Sequence, residues 1–231
     1  MDRRHALIIQ HVPFEGPGAI DSWLAANGYQ RSICHLYRGD PLPNINGIDW
    51  LVIMGGPMGV ADEQDVPFLV PEKAYLREAL ARRIPIVGIC LGAQLLADVL
   101  GAPVSRNPDT EIGWFPVSPT SSHAMAQPFA DQPEVLHWHG DTFALPEGAT
   151  ALLASEACAN QAFLYKDHVL GLQFHLEMTA GGVRAICEAC ANELQPGPWV
   201  QDAHTLCQPR DFDALHLRLF ALLDELASNG S

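Results

Sequence analysis

The stretch Ile84-Pro-Ile-Val-Gly-Ile-Cys-Leu-Gly-Ala-Gln-Leu-Leu-Ala-Asp-Val-Leu100 decides the fold of this chain. It joins an apolar run typical of a buried strand to a run typical of a helix, with Cys90 at the junction. Gly88 and Gly92 lack the Cβ atoms that would clash in the sharp turn of a nucleophile elbow. The positive end of the helix lies beside the thiol and favours the thiolate. The stretch therefore predicts a nucleophilic Cys90.

A second stretch, Val169-Leu-Gly-Leu-Gln-Phe-His-Leu-Glu177, supplies partners for this thiol. Its apolar run predicts a strand, and His175 and Glu177 at its end are two residues apart, so both side chains can project to one side. A nucleophilic thiol needs a base that also returns a proton to the leaving group, and the base needs a partner that holds its tautomer. Cys90, His175 and Glu177 are therefore the predicted catalytic residues.

The stretch Trp50-Leu-Val-Ile-Met-Gly-Gly-Pro-Met-Gly59 is typical of a buried strand that ends in a glycine-rich loop. Glycine N–H groups can approach an oxygen closely, and two such donors make an oxyanion hole. We expect the amide of Gly56 to be one donor and that of Leu91, the residue after the predicted nucleophile, to be the other.

Five motifs together carry a family resemblance. They are Met54-Gly-Gly-Pro-Met-Gly59, Gly88-Ile-Cys-Leu-Gly-Ala-Gln94, Glu111-Ile-Gly-Trp114, His137-Trp-His-Gly-Asp141 and Gly171-Leu-Gln-Phe-His-Leu-Glu177. In this combination the chain resembles the class I glutamine amidotransferases, specifically the stand-alone domains similar to the amidotransferase part of GMP synthase. Leu176 is a departure, because the family frequently has proline at that place.

The resemblance implies a three-layer α/β fold of the flavodoxin-like type, with a mostly parallel central sheet and flanking helices. It implies that a Cys-His-Glu triad hydrolyses the side-chain amide of glutamine through a cysteinyl thioester, with no metal or organic cofactor. It also implies a set of residues that hold the small-molecule substrate, namely Gly55, Gln94, His139, Gly140 and Asp141.

The fate of the released ammonia leaves several functions open. A separate synthetase subunit could consume it, since the chain contains no phosphate-binding loop of the P-loop type. A free-standing γ-glutamyl peptidase or hydrolase would use the same chemistry with a larger leaving group. A non-catalytic regulatory module is the third alternative, and the complete triad argues against it. The PfpI-type peptidases also have a cysteine elbow, but they commonly have histidine where this chain has Leu91.

Length and charge set further limits. The 231 residues can bury one sizeable core, so we expect a single domain over 1–231 with a helical C-terminal extension, 179–231, packed on it. A net charge of −14 opposes binding to nucleic acid and to anionic membranes. Six irregularly spaced cysteines, one of them a predicted nucleophile, indicate a reducing compartment, and we expect the cytoplasm.

Alternating strand and helix patterns in the first hundred residues predict a parallel sheet with crossover helices. Predicted strands are Ala6–Gln10, Ser32–Leu36, Trp50–Met54 and Ile84–Ile89, and predicted helices are Ala19–Asn27, Pro71–Arg82, Leu91–Leu100, Gly182–Leu194 and Phe212–Ala227. Short strands are expected between 103 and 174, with a hairpin turn at Lys166-Asp167, and Asp211 is the expected cap of the last helix.

Cys187, Cys190, His204 and Cys207 have a spacing that could supply four zinc ligands. The first two lie within a strong helix pattern, where a spacing of three merely makes them neighbours on one face. Packing is therefore the favoured interpretation of these cysteines, and no metal site is predicted.

Overall fold

The computed structural model of the chain describes residues 4–229. Its strands are β1 His5–Gln10, β2 Gln30–His35, β3 Trp50–Ile53, β4 Ile86–Ile89, β5 Val104–Pro116, β6 Ser118–Pro119, β7 Glu134–Phe143, β8 Ala149–Ala154, β9 Ala162–Tyr165 and β10 Val169–Leu172. Its α-helices are α1 Ala19–Ala26, α2 Leu69–Ala81, α3 Leu91–Val99, α4 Ala180–Ala189, α5 Ala203–Leu206 and α6 Phe212–Asn229.

The main sheet contains eight strands in the order β2-β1-β3-β4-β10-β9-β8-β6. The first five strands are parallel to their neighbours, and the remaining pairs are antiparallel. β5 and β7 form a separate antiparallel pair. The predicted α/β fold with a mostly parallel sheet and flanking helices is confirmed, and so is the hairpin between β9 and β10.

Helices cover the central strands on both faces, which explains why these strands are apolar without alternation. Along β1, Ile8 packs into a core shared with α1, α4 and α6, whereas Leu7 and Ile9 pack into a second core shared with α2 and α3. The same division continues along β3 and β4, so successive side chains serve opposite layers. The sheet is therefore the middle layer of three.

The register of the parallel strands brings their carboxyl ends to one edge. Ile9 of β1 pairs with Ile53 of β3, and Gly88 of β4 pairs with both Ile53 and Gly171 of β10. The segments that follow these four strands therefore emerge side by side, as is usual for ligand sites in open α/β sheets. Three of these segments are the ones that carry the predicted site residues.

The turn between β4 and α3 is packed too closely for side chains at its glycines. A Cβ at Gly88 would lie 2.6 Å from the carbonyl carbon of Gly92, and a Cβ at Gly92 would lie 2.9 Å from the carbonyl carbon of Ile53. Cys90, at the apex, has φ 50° and ψ −107°, a conformation that L-residues rarely adopt. These contacts confirm the elbow that the glycine pattern predicts.

Several predicted boundaries shift. α2 begins at Leu69, so Pro71 is its third residue, a position where a missing N–H costs no helical hydrogen bond. β10 ends at Leu172, and His175 makes only an isolated bridge to Leu136. The short strands expected after 103 include one long strand, β5, because it pairs along β7 on both sides of a register shift between Arg106 and Glu111.

The C-terminal helices differ in extent from the prediction. α4 begins earlier because the Thr179 hydroxyl accepts a hydrogen bond from the Gly182 N–H, and it ends at Ala189, after which Ala191–Glu193 form a short 3-10 helix. In α6 the predicted cap is confirmed, since Asp211 accepts a hydrogen bond from the Ala214 N–H at 3.1 Å.

None of the helices in residues 4–229 has the length and hydropathy that a membrane span requires.

α6 packs on the same face of the sheet as α1. The Trp23 indole N–H donates to Asp224 Oδ1 at 2.7 Å, and Leu219, Leu222 and Leu226 are buried in the core. These contacts support the proposal that 1–231 is one domain with 179–231 packed on it. Residues 1–3, 230 and 231 lie outside the described part of the chain.

Gly92→Ala should destabilise the protein by about 2–3 kcal/mol, because its methyl group overpacks the turn against β3. Gly181→Ala is the matched control, since a Cβ there meets nothing closer than Thr179 Oγ1 at 3.7 Å and alanine favours the helix. Urea unfolding of both variants measures the difference. Equal unfolding free energies would contradict the packing of the elbow.

Candidate active site

Cys90 lies at the carboxyl edge between two neighbouring strands and is 6% exposed. Its N–H donates to the Leu172 carbonyl at 2.7 Å, which ties the elbow to the end of β10. The Sγ atom lies 3.5 Å from the Trp138 carbonyl oxygen, and the Gln173 amide donates to it at 3.6 Å. Contacts from two other segments, the end of β10 and β7, therefore hold the thiol in one position.

His175 and Glu177 form a buried pair beside this thiol. The Nδ1 atom of His175 lies 2.7 Å from Glu177 Oε1, and both side chains are 1% exposed. The His175 N–H donates to the Leu136 carbonyl at 2.8 Å, and the Glu177 carbonyl accepts the first N–H of α1, from Ala19, at 2.9 Å. Backbone contacts thus position both residues although the strand has already ended.

The protonation states of Cys90, His175 and Glu177, the catalytic trio predicted from the sequence, depend on one another. Burial lowers the pKa of His175, but Glu177 and Cys90 outweigh it and raise the pKa well above the ordinary value of histidine. Burial raises the pKa of the Cys90 thiol above its ordinary value and the charge of Glu15 adds to this, while His175 and the Leu91 amide oppose the rise without cancelling it. His175 Nε2 has no hydrogen-bond partner within residues 4–229. The structure therefore stabilises an imidazolium beside the thiol, and this positive charge offsets part of the cost that burial imposes on the thiolate.

A second buried pair holds the glycine-rich loop after β3. His11 Nε2 lies 2.8 Å from Glu72 Oε1, with both side chains fully buried, and His11 Nδ1 lies 3.2 Å from the Gly55 carbonyl oxygen. Burial lowers the pKa of His11, but the charge of Glu72 and its hydrogen bond outweigh this and raise it. His11 is therefore suited to donate from both ring nitrogens.

This contact determines the direction of the Gly56 N–H. In a trans peptide the carbonyl of one residue and the N–H of the next point in opposite directions, so fixing the Gly55 carbonyl on His11 turns the Gly56 N–H to the other side. That N–H has no partner in the described part of the chain. A Cβ at Gly55 would lie 3.4 Å from Cys90 Cβ, and one at Gly56 would lie 3.2 Å from Leu91 Cδ2, so the loop lies directly against the elbow.

A cavity of about 570 Å³ opens in front of Cys90 and Gly56. The predicted substrate residues Gln94, His139, Gly140 and Asp141 all line it, whereas the predicted Gly55 is not among the lining residues. The Gln94 amide donates to Gln173 Oε1 at 3.1 Å and to the Asp141 carbonyl at 3.4 Å.

The His139 side chain is engaged within the protein. Its Nδ1 lies 3.0 Å from the Asp141 carbonyl oxygen and its Nε2 lies 3.1 Å from Glu111 Oε2. Since both ring nitrogens have protein partners, a backbone contact to a substrate is favoured over one from the ring.

Glu111 organises a buried polar cluster under this cavity wall. Its Oε2 atom accepts from the Gln161 amide at 2.7 Å and from the Ser155 hydroxyl at 3.1 Å, and Glu111, His137 and His139 bring potential ligand atoms within 4.8 Å of one another. Burial lowers the pKa of His137 to about 4, so the ring is neutral at pH 7. These residue types suit zinc. However, the hydrogen bonds already engage Glu111 Oε2, so we interpret the cluster as a support for β7.

The four residues with zinc-like spacing do not assemble. Cys187 Sγ lies 4.0 Å from Cys207 Sγ, but Cys187, Cys190, His204 and Cys207 do not form a metal-binding group in the described structure. Cys187 and Cys190 are buried on one face of α4 and the residue that follows it, as the packing interpretation expects.

Several residues of the site were not assigned from the sequence. Glu15 and Arg106 line the cavity, Gln173 contacts Cys90, His11 contacts Gly55, and Glu72 acts through His11. Gln173 lies within the motif 171–177 that carries the family resemblance, so the sequence alone could have identified it as a site residue. The contact between His11 and Glu72 spans 61 residues and exists only because β1 and α2 are neighbours in the fold.

Comparison with known proteins agrees with this geometry. The family model described as glutamine amidotransferase class-I matches residues 21–186. A glutamine amidotransferase-like protein of Salmonella typhimurium, YfeJ, is 32% identical over 227 residues, which cover 94% of this chain and 95% of the relative. The chain belongs to the class I glutamine amidotransferase family.

Solved structures of family members superpose on the whole chain. A glutamine amidotransferase from Methylobacillus flagellatus is 34% identical with a TM-score of 0.90 and covers 99% of this chain and 96% of its own. Another relative, from Saccharolobus solfataricus, is named as one subunit of a glutamine-hydrolyzing GMP synthase. It is 31% identical over 140 residues, which cover 60% of this chain and 72% of the relative.

Glu177→Gln should shift the pH profile of Cys90 alkylation to higher pH. Loss of the carboxylate lowers the pKa of His175, so less imidazolium is present to stabilise the thiolate, and the pKa of Cys90 rises. A shift of one unit would slow alkylation at pH 7 about tenfold. Iodoacetamide rates with peptide mapping measure this, with the surface variant Glu78→Gln as control. An unchanged profile would show that Glu177 does not tune the pair.

Proposed function

We propose that the chain hydrolyses the side-chain amide of glutamine, or of a γ-glutamyl compound, through a covalent bond to Cys90. The trio of Cys90, His175 and Glu177 at adjacent strand ends carries this proposal. A thiol, an imidazole with a buried carboxylate on its far nitrogen and a free N–H donor beside them are the groups that acyl transfer requires. Membership of the family supports the same conclusion.

The proposed reaction has two steps. The Cys90 thiolate attacks the side-chain carbonyl carbon, the amides of Gly56 and Leu91 hold the oxyanion, and a proton from His175 goes to the nitrogen as the carbon–nitrogen bond breaks. His175 then accepts a proton from water, which attacks the thioester and releases glutamate and the free thiol. Glu177 keeps the ring oriented and stabilises its charged form.

The far end of the cavity suits the amino-acid end of glutamine. Arg106 lines it, packs over Gly140 and lies 3.6 Å from Asp141, so one cationic and one anionic side chain lie together there. A free α-amino acid carries both charges, and Arg recognises carboxylates in a planar geometry. We therefore propose that the α-carboxylate and α-amino group of the substrate bind at this end.

A γ-glutamyl peptidase or hydrolase is the second candidate function. The cavity has the size of sites that hold drug-sized ligands, and it extends past Cys90 toward Cys190, Glu193 and the segment 195–198. It thus offers space beyond glutamine for a leaving group larger than ammonia.

We further propose that the chain acts without a partner. His11 already holds the Gly55–Gly56 peptide with its N–H free, so the oxyanion hole does not depend on another protein for its assembly. A relative is named as part of a GMP synthase, and a separate synthetase subunit that takes the ammonia is the alternative.

We also propose that the protein acts in the cytoplasm, with no nucleic acid or membrane as a partner.

Cys90→Ala should abolish release of ammonia from glutamine and of amino acids from γ-glutamyl peptides, because the nucleophile is lost while the fold is kept. The purified chain is assayed on both substrates, with Cys34→Ala as a control that removes a buried thiol far from the cavity. Equal turnover by the two variants would refute the proposed function. The faster substrate of the unmodified protein identifies which candidate activity applies.

His11→Gln should lower kcat about a hundredfold with little change in KM, because a misplaced oxyanion donor affects only the transition state. Glu72→Gln should have a smaller effect in the same direction, since it weakens the charge that holds His11. Steady-state kinetics of both variants test this, with the exposed His204→Gln as control. A change confined to KM would contradict the assigned orientation of the peptide.

A further inference from the structure

Glu15 is a buried carboxyl group that the proposed mechanism does not use. It is 4% exposed, it lines the cavity, and its side chain makes no hydrogen bond to any residue in the described part of the chain. A buried polar group without a hydrogen bond carries a desolvation cost that a stable protein normally offsets with a partner. Because Glu15 lines the cavity, a ligand bound there can supply this partner.

The carboxylate lies beside the nucleophile. A Cβ at Gly55 would collide with Glu15 Oε2 and would lie 3.4 Å from Cys90 Cβ, so the carboxylate and the nucleophile flank one small space above Gly55. The need for glycine at this position is therefore explained by Glu15 as well as by the turn.

Glu15 lies near His175, the proton donor of the proposed mechanism. The charged groups with the largest effect on it are His175, Glu177, His11 and Glu193, and the groups at the amino-acid end of the cavity are not among them. His175 is the proposed proton donor to the leaving nitrogen, so this side of the thiol receives that nitrogen.

The cavity wall around Glu15 is acidic. Glu193, Cys190 and Glu15 line it together, and Arg106 at the opposite end is the only lysine or arginine that lines the cavity within residues 4–229. Burial raises the pKa of Glu15 to about 7. The negative charges of Glu177 and Glu193 add to this rise, whereas the positive charges of His175 and His11 oppose it. A protonated amine would supply both the missing hydrogen bonds and the missing positive charge.

We propose that Glu15 forms a binding subsite for a protonated amine on the leaving-group side of Cys90. The ligand is the ammonium product of glutamine, or an ammonium group carried by the amine portion of a γ-glutamyl amide. This inference rests on the proposed function for the direction of the leaving group. It narrows the substrate class to glutamine itself and to γ-glutamyl amides whose amine portion carries an ammonium group.

Charge-selective labelling of Cys90 tests the subsite without requiring turnover. Two methanethiosulfonates of similar size are compared, one with an ammonioethyl group and one with a sulfonatoethyl group; each forms a disulfide with the thiolate and releases methanesulfinate. The ratio of the two rates cancels the thiolate fraction. Because a unit charge acts strongly at short range in a buried site, the ratio should favour the cation and fall at least tenfold in Glu15→Gln.

The pH dependence of this ratio gives a second readout. A carboxyl group is anionic above its pKa, so the preference for the cationic reagent should rise as pH increases through about 7. His175, Glu177, His11 and Glu193 also face Glu15, but they are unchanged in the variant, so Glu15→Gln should lose this rise. Glu15→Asp keeps the charge on a shorter side chain and should retain part of it, while the surface variant Glu78→Gln should behave as the unmodified protein.

Turnover then tests the substrate class. The kcat/KM for γ-glutamyl-(2-aminoethyl)amide should exceed that for the neutral γ-glutamyl-propylamide, and Glu15→Gln should remove the difference. Equal labelling ratios in the unmodified protein and Glu15→Gln would overturn the subsite even if Cys90 hydrolyses glutamine. Cation-selective labelling in a protein that hydrolyses none of these amides would instead refute the proposed function and retain the subsite.

Discussion

The contact of Gly92 with the backbone of Ile53 is the constraint on which the rest of this structure depends. It lets α3 begin directly against β3, so that the elbow between β4 and α3 holds Cys90 in a strained conformation at the sheet edge. The hydrogen bond from Cys90 to Leu172 then attaches the elbow to β10. A side chain at position 92 would collide with Ile53 and displace the start of α3 from β3.

Two buried histidine–carboxylate pairs flank this elbow and have different tasks. The pair His175–Glu177 adjusts the charge next to the thiol, whereas the pair His11–Glu72 fixes the orientation of a peptide. Desolvation makes buried ion pairs costly, and removing one partner leaves an uncompensated charge. Their presence at the proposed catalytic edge is therefore better explained by preorganisation than by a contribution to overall stability.

The lining of the cavity differs in charge between its two ends. Arg106 and Asp141 together offer both charges at one end, while Glu15 and Glu193 give the other end an acidic wall. For a family that acts on glutamine, this division matches a zwitterionic amino acid on one side of the thiol and a departing amine on the other. The acidic wall formed by Glu15 and Glu193 thus agrees in sign with the strongly negative net charge of the protein.

The sequence by itself determined the local features of this protein. The apolar run before Cys90, its two glycines and the His175-x-Glu177 spacing predicted the elbow, the parallel sheet and the trio, because turn geometry and side-chain direction depend on neighbouring residues. Only the tertiary structure decided the roles of His11, Glu72 and Glu15. Their contacts join segments far apart in the chain, and no local periodicity encodes which strand ends become neighbours. Burial also leaves the carboxyl group of Glu15 without a hydrogen bond, and burial is a property of the assembled fold alone.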